Sequence, residues 1–156
     1  MSDVAYSRWR FATTLPEGLL YTARHGWLRR EAEGVWRVGL TGFALWLLGD
    51  VVEYGFGALP GQRVDGGVEV GWVEGLKAVE TLATPVAGEF LGENDAVAGD
   101  VTLLQHDPYR SGWLYRVRGT PAPGTLDAAA YAVLLDPAVD AVRAAREAEC
   151  EGECDA

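Results

Sequence analysis

One short stretch carries the strongest chemical signal, "VEGLKAVE", residues 73–80. Of the chain's 13 basic side chains, Lys77 is the single lysine; the rest are arginine. A guanidinium serves as well as an ammonium for surface charge, but it does not form a side-chain amide. A lysine kept alone, between Glu74 and Glu80 and two residues after Gly75, suits covalent acylation. A Schiff-base lysine needs burial in an apolar pocket, and this setting offers the opposite. Other reactive types are sparse. His25 and His106 stand far apart with no third ligand at metal spacing, so no metal is expected. Cys150 and Cys154 are spaced i, i+4 in an acidic tail. Their acidic neighbours argue against primed nucleophiles, and two sulfurs complete no zinc site. They remain candidate redox thiols, able to exchange with a disulfide.

The elements that must position Lys77 read as mainly β. "LLYTARHGWLRREAEGVWRVGLT" alternates as a hairpin that bends near "REAEG". "TGFALWLLGD" changes period: Phe43, Leu47 and Leu48 recur at helical spacing, with Thr41 as N-cap and Gly49 as C-cap. "VVEYGF", "GVEVGWVE", "AVETLATPV", "GEFLG" and "GWLYRVR" are short β-prone runs punctuated by Gly, Pro and Asn-Asp turns, among them Asn94-Asp95 and Gly99. Gly75 is expected at positive φ, which places Lys77 at a hairpin tip. "RGTPAPG" (118–124) reads as a linker. Beyond it, Leu126, Ala130, Val133 and Leu134 form a helical stripe. Pro137 is expected to break it, with a second helix over Ala138 to Glu149. Trp27, Trp72 and Trp113 are expected in the core. The domain division is 1–136, with its β core at about 20–118, and a C-terminal helix and tail at 137–156.

Size and charge exclude several function classes. At 156 residues with 49% hydrophobic content, the chain can build a core without disulfides. A net charge of -10 repels phosphate backbones and anionic lipid, so neither nucleic acid nor membrane is an expected partner. The start, "MSDVAYSRWRF", lacks the apolar core of a signal peptide, and no run approaches the length of a membrane span. Cytoplasmic residence and a monomer are expected.

The sequence resembles the glycine cleavage H-protein family, whose lysine carries lipoic acid in amide linkage. The resemblance rests on "YTARHGW" (21–27), "VGLTGFALWLLGDVV" (38–52), the lysine hairpin, "ATPVAGEF" (83–90), "DPYRSGWL" (107–114) and "LDAAAYAVLL" (126–135), in that order. It implies a barrel-sandwich hybrid with a short internal helix and C-terminal helices. It also implies lipoic acid on Lys77, a lipoylating enzyme as partner, and a carrier rather than an enzyme. Glu74 matches the family glutamate that presents the lysine; Gly75, Leu76 and Ala78 complete the attachment turn. Arg24, His25 and Gly26 fall where the family contacts the arm.

Two cargo readings follow. In glycine cleavage the arm carries an aminomethyl group between the glycine cleavage enzymes. There a family glutamate, at the position of Gly26 here, helps hold the cationic amine. This chain lacks that carboxylate and adds Arg24, which suits an anion. Gly75-Leu76 replaces the usual serine-valine, and "GWVEGLKAV" looks closer to the H-like lipoate-binding proteins of sulfur-oxidising prokaryotes. Those serve a heterodisulfide-reductase-like complex. A sulfur carrier is therefore the leading expectation and glycine cleavage the alternative. An unmodified interaction module is a third, and a biotin carrier is disfavoured because Leu76 and Ala78 stand where methionines would.

Overall fold

Apolar alternation along short strands folds the chain into two facing sheets; the computed structural model describes residues 2–154. A six-stranded sheet runs in the order β3 (Leu20–Tyr21), β4 (Gly26–Ala32), β5 (Val35–Leu40), β11 (Tyr115–Pro121), β10 (Val86–Glu93) and β7 (Arg63–Val64). A three-stranded sheet runs β6 (Val51–Phe56), β8 (Glu69–Gly75) and β9 (Val79–Ala83). Every pairing is antiparallel. Leu28, Val38, Val117 and Phe90 from the first sheet meet Val70, Val73 and Leu82 from the second in one buried core. Burying side chains of this size contributes roughly 1.5–3 kcal/mol each. The result is the expected mainly β, barrel-sandwich hybrid. Among the described residues, no helix is long and apolar enough to cross a membrane.

Helix α1 (Gly42–Leu48) is 7 residues long, too short to stand alone, so packing holds it. Phe43, Ala44, Leu45 and Leu48 are buried. The expected caps are both present: Thr41 accepts from the Ala44 amide, and Gly49, at φ 70°, returns its N–H to Leu45.

Several elements differ from expectation. Residues 118–121 of the supposed linker are the end of β11. Asn94-Asp95 opens a short helix, α2 (Asp95–Gly99), which Gly99 ends and α3 (Leu103–His106) follows. At the C-terminus one helix, α4 (Ala128–Cys154), runs straight through Pro137. Pro137 and Val133, whose carbonyl loses its donor, are both exposed, so that carbonyl is on the solvent side of the helix. The buried stripe is Ala128, Tyr131, Leu135 and Val139; Ala130 and Val133 face out. Trp27 is fully buried, whereas Trp72 and Trp113 are half-buried. Arg37 and Arg116 stack on the Trp113 ring at 5.1 and 5.5 Å.

The N-terminal hairpin of β1 (Val4–Arg8) and β2 (Phe11–Leu15) was not anticipated. It packs on α4. Tyr6 donates to Asp136 at 2.9 Å, and Arg8 makes a two-pronged bond to Asp140 at 2.8 and 2.9 Å. The Arg146 guanidinium lies over Trp46 at 4.6 Å and Trp9 at 5.6 Å.

Candidate functional site

The last carbonyls of a helix have no donor within it. In α1 the β8–β9 hairpin supplies one: the Lys77 amide donates to the Leu48 carbonyl at 2.9 Å. Beside it the Leu76 amide donates to Asp50 at 2.9 Å, and the Gly75 amide closes the turn on Ala78 at 2.9 Å. The tip is thus bolted to the end of α1 through main chain, independent of side-chain identity. Gly75 does not take the left-handed conformation expected of it. It is needed for close approach instead, because a Cβ there would collide with the Leu48 carbonyl oxygen. The left-handed glycine is Gly49, across the contact. A Cβ on Gly49 would stand 3.1 Å from Lys77 Cγ and 3.3 Å from Cδ. The lysine stem therefore lies across Gly49 and its end reaches solvent.

Lys77, Leu76, Ala78 and Val79 are all exposed; Leu76 is 72% and Val79 64% so. Glu74 is partly buried on β8, in register with Glu53 and Val79.

A cleft of about 220 Å³ opens beside the tip, lined by Ala44, Leu47 and Leu48 of α1, by Ala78 and Glu80, and by Arg24 and His25. The structure thus brings Arg24, His25 and Ala78 together. Gly26 does not line this cleft but a smaller cavity nearby, which Arg24 and Glu80 share. A Cβ at Gly26 would sit at ordinary contact distance, 3.4 Å from Thr22 Oγ1, so sterics do not require glycine there.

His25 holds a left-handed backbone, φ 68°, and its carbonyl accepts from the Thr41 amide at 3.0 Å. Its Nδ1 lies 2.8 Å from the Tyr131 hydroxyl, which lies 2.8 Å from Thr41 Oγ1. The hydrogens have one economical arrangement. The Ala44 amide donates to Thr41, Thr41 to Tyr131, and Tyr131 to Nδ1, leaving the imidazole proton on Nε2. Burial pushes the His25 pKa down to about 4, so the ring is neutral at physiological pH.

Glu80 is the residue that sequence reading underused. In the sequence it is simply one of the two acids that flank the lysine. It is partly buried, and that burial raises its carboxyl pKa while the nearby Arg24 charge acts in the other direction. Strand alternation carried the signal: Glu80 and Leu82 share one face of β9, and Leu82 is core. The remaining candidates stay apart. Cys150 is exposed near the end of α4 and does not line the cleft; the Cys154 side chain and Asp155 lie outside the described residues. His106 is exposed at the end of α3. Among the described residues, no group of three or more His, Cys, Asp or Glu could hold a metal.

An exposed lysine whose stem is seated on a glycine, with a lined cleft beside it, fits a group extended from its amine. Comparison with known proteins agrees. Residues 19–129 match the family model described as glycine cleavage H-protein. The glycine cleavage system H protein of Enterobacter sp. (strain 638) is 39% identical over 129 residues, covering 80% of this chain and 98% of that one. That of Klebsiella pneumoniae is 36% identical over the same coverage. A crystal structure of a glycine cleavage system H protein from Mycobacterium marinum superposes with a TM-score of 0.69 at 36% identity, covering 76% of this chain and 96% of the other. Both in sequence and in fold, this chain belongs to the glycine cleavage H-protein family.

Proposed function

We propose that this chain is the lipoyl carrier of a glycine cleavage system, with lipoic acid in amide linkage on Lys77 and an aminomethyl cargo. The observation that carries this reading is the seating of Lys77, the chain's single lysine, on Gly49 at the mouth of a lined cleft. The family carries lipoate on a lysine, and its lipoyl group supplies a disulfide that accepts and releases the cargo.

The chain's own residues do the rest. Backbone bonds to Leu48 and Asp50 fix the tip, so a lipoylating enzyme meets a rigid lysine with Glu74 three residues before it. Ala44, Leu47 and Leu48 give the cleft an apolar wall that excludes water from a seated arm. His25 is held neutral and adds no positive charge against a cationic cargo. Glu80 supplies the carboxylate that Gly26 lacks, in a cavity that the two residues both line. The acidic surface favours basic docking faces on the glycine cleavage enzymes, and the protein acts in the cytoplasm as a monomer.

The sulfur-carrier reading rested on Arg24 and Gly26 together and on Gly75-Leu76 within "GWVEGLKAV". Arg24 stands close enough to Glu80 to act on its carboxyl, so its guanidinium is already faced by an acid. The relatives named above are also glycine cleavage H proteins. Intact mass after co-expression with a lipoylating enzyme tests the attachment: one lipoyl addition on the native chain, none on Lys77→Arg. Glycine and glycine decarboxylase should then add one aminomethyl group to the oxidised arm, one sulfur taking the group and the other becoming a thiol as the disulfide opens and carbon dioxide leaves. A lipoylated chain that takes no such group, but takes sulfur from a persulfide donor, would return the assignment to sulfur transport.

A further inference from the structure

Helix α1 has a groove on each side. Ala44, Leu47 and Leu48 recur at i, i+3, i+4 and face the cleft beside Lys77. Gly42, Leu45 and Trp46 recur with the same spacing on the opposite side, and they line a second groove of about 400 Å³. Its far wall is residues 10–13, at the start of β2, and Gln105 closes its near end. Residues 10–13 lie outside the stretch that matches the family model.

Gln105 connects this groove to the lysine. Its Nε2 donates to the Gly49 carbonyl at 2.9 Å, and Lys77 crosses the same glycine. From ordinary bond lengths, a lysine extended by a lipoyl group reaches roughly 14 Å from its Cα. The 7 residues of α1 span only about 10 Å. The arm is therefore long enough to lie along either flank of the helix.

We propose that this second groove is the resting berth of the oxidised, unloaded lipoyl arm; the proposal rests on lipoylation of Lys77. The disulfide form is uncharged. It has an apolar chain, one amide and a ring of two sulfurs. Leu45 offers an aliphatic floor, and the half-buried indole of Trp46, over which Arg146 lies, offers sulfur the part of its ring that lines the groove. Arg10, exposed at the rim, has N–H groups for the arm's amide carbonyl. The cleft on the other flank presents Glu80 and Arg24, charged groups with which an uncharged ring makes no charge pairing. Helix α1 thus sorts the arm by its state, with cationic cargo on one flank and the empty disulfide on the other.

Thiol capture tests this. In a chain with Cys150 and Cys154 replaced by serine, one new cysteine is placed at Ala12→Cys in the groove, Leu47→Cys in the cleft or Glu53→Cys on open surface. The new thiolate attacks one ring sulfur, the S–S bond opens, and the other sulfur leaves as a thiol, with no net oxidation. A maleimide traps that thiol, and peptide mapping locates the link. The oxidised lipoyl protein should link at Ala12→Cys at least tenfold faster than at Glu53→Cys. Equal rates, or fast linking at Leu47→Cys alone, would overturn the berth. If Ala12→Cys fails to fold, the amide NMR signals of Thr13 and Gly42 decide, on the otherwise native chain. They should shift between unlipoylated and oxidised lipoylated protein, and unchanged signals refute the proposal. Intact mass comes first: no lipoyl addition removes the carrier reading itself, whereas addition without capture removes only the berth.

Discussion

Acid should loosen this protein through His25 before its ordinary carboxylates titrate. Burial pushes the imidazole from 6.5 to about 4 in the folded chain, so the folded state refuses a proton that the unfolded chain accepts. The contribution is fully present above about 6.5 and is lost as pH falls toward 4. Protonation also strands a buried donor. With a proton on Nδ1, Tyr131 must turn its own hydrogen to Thr41, and the Thr41 hydrogen is left without its acceptor. Over the whole shift the ceiling is about 3 kcal/mol at 1.36 kcal/mol per unit. Between pH 7.5 and 5.5 the same linkage gives about 1.4 kcal/mol, and about half that once solvent in the cleft screens the charge. Glu80 works the other way. Its carboxyl is raised by burial, so acid restores rather than removes stability there, which makes pH 5.5 the sensible lower limit. Urea unfolding of native and His25→Asn chains at both pH values isolates the term, because asparagine tolerates the left-handed backbone at this position. The native chain should lose about 0.7–1.4 kcal/mol more than the variant on acidification. Parallel losses would refute the buried, neutral imidazole.

Other outcomes follow from the same contacts. Tyr131→Phe removes a hydroxyl shared by His25 and Thr41 and should cost about 1–3 kcal/mol in urea unfolding. Gly49→Ala strains a backbone at φ 70° and pushes on the Lys77 stem. It should cost about 1–3 kcal/mol and slow lipoylation in a mass time course, whereas Gly57→Ala, with open space around it, should do neither. Glu80→Gln should weaken retention of the aminomethyl group about tenfold, the lower end for a charge-assisted contact at a partly open site. Arg24→Ser should strengthen it, both read from the rate at which loaded protein loses its cargo.

The sequence announced what is local and hid what depends on approach. Thr41 and Gly49 were legible as caps because capping needs only one side-chain oxygen and one left-handed residue, both written in "TGFALWLLGD". Most strands of both sheets were legible from alternation, but the two-residue edge strand β7 (Arg63–Val64) was not. Pro137 misled because its cost depends on which side of α4 the orphaned carbonyl faces, and that side is wet. Gly75 was recognised as special for the wrong reason: no local rule says that the end of another element lies against it. The N-terminal hairpin has only five residues per strand and gains its stability from α4, about 130 positions away.

These misreadings converge on α1, which the sequence marked as a plain amphipathic helix. Its last carbonyl holds the lysine tip, its capping glycine is the bed for the lysine stem, and its N-cap threonine is wired through Tyr131 to the histidine of the cleft. A displacement of so short a helix would therefore move attachment point, cleft wall and imidazole together. The hairpin and the α4 extension outside the family match meet its outer side, through Trp46 against Trp9 and Arg146. Added structure that pins the one element common to all three parts of the site fixes where a long, flexible arm begins. The rigidity sits at the base of the arm because the arm itself must stay free to reach its partners.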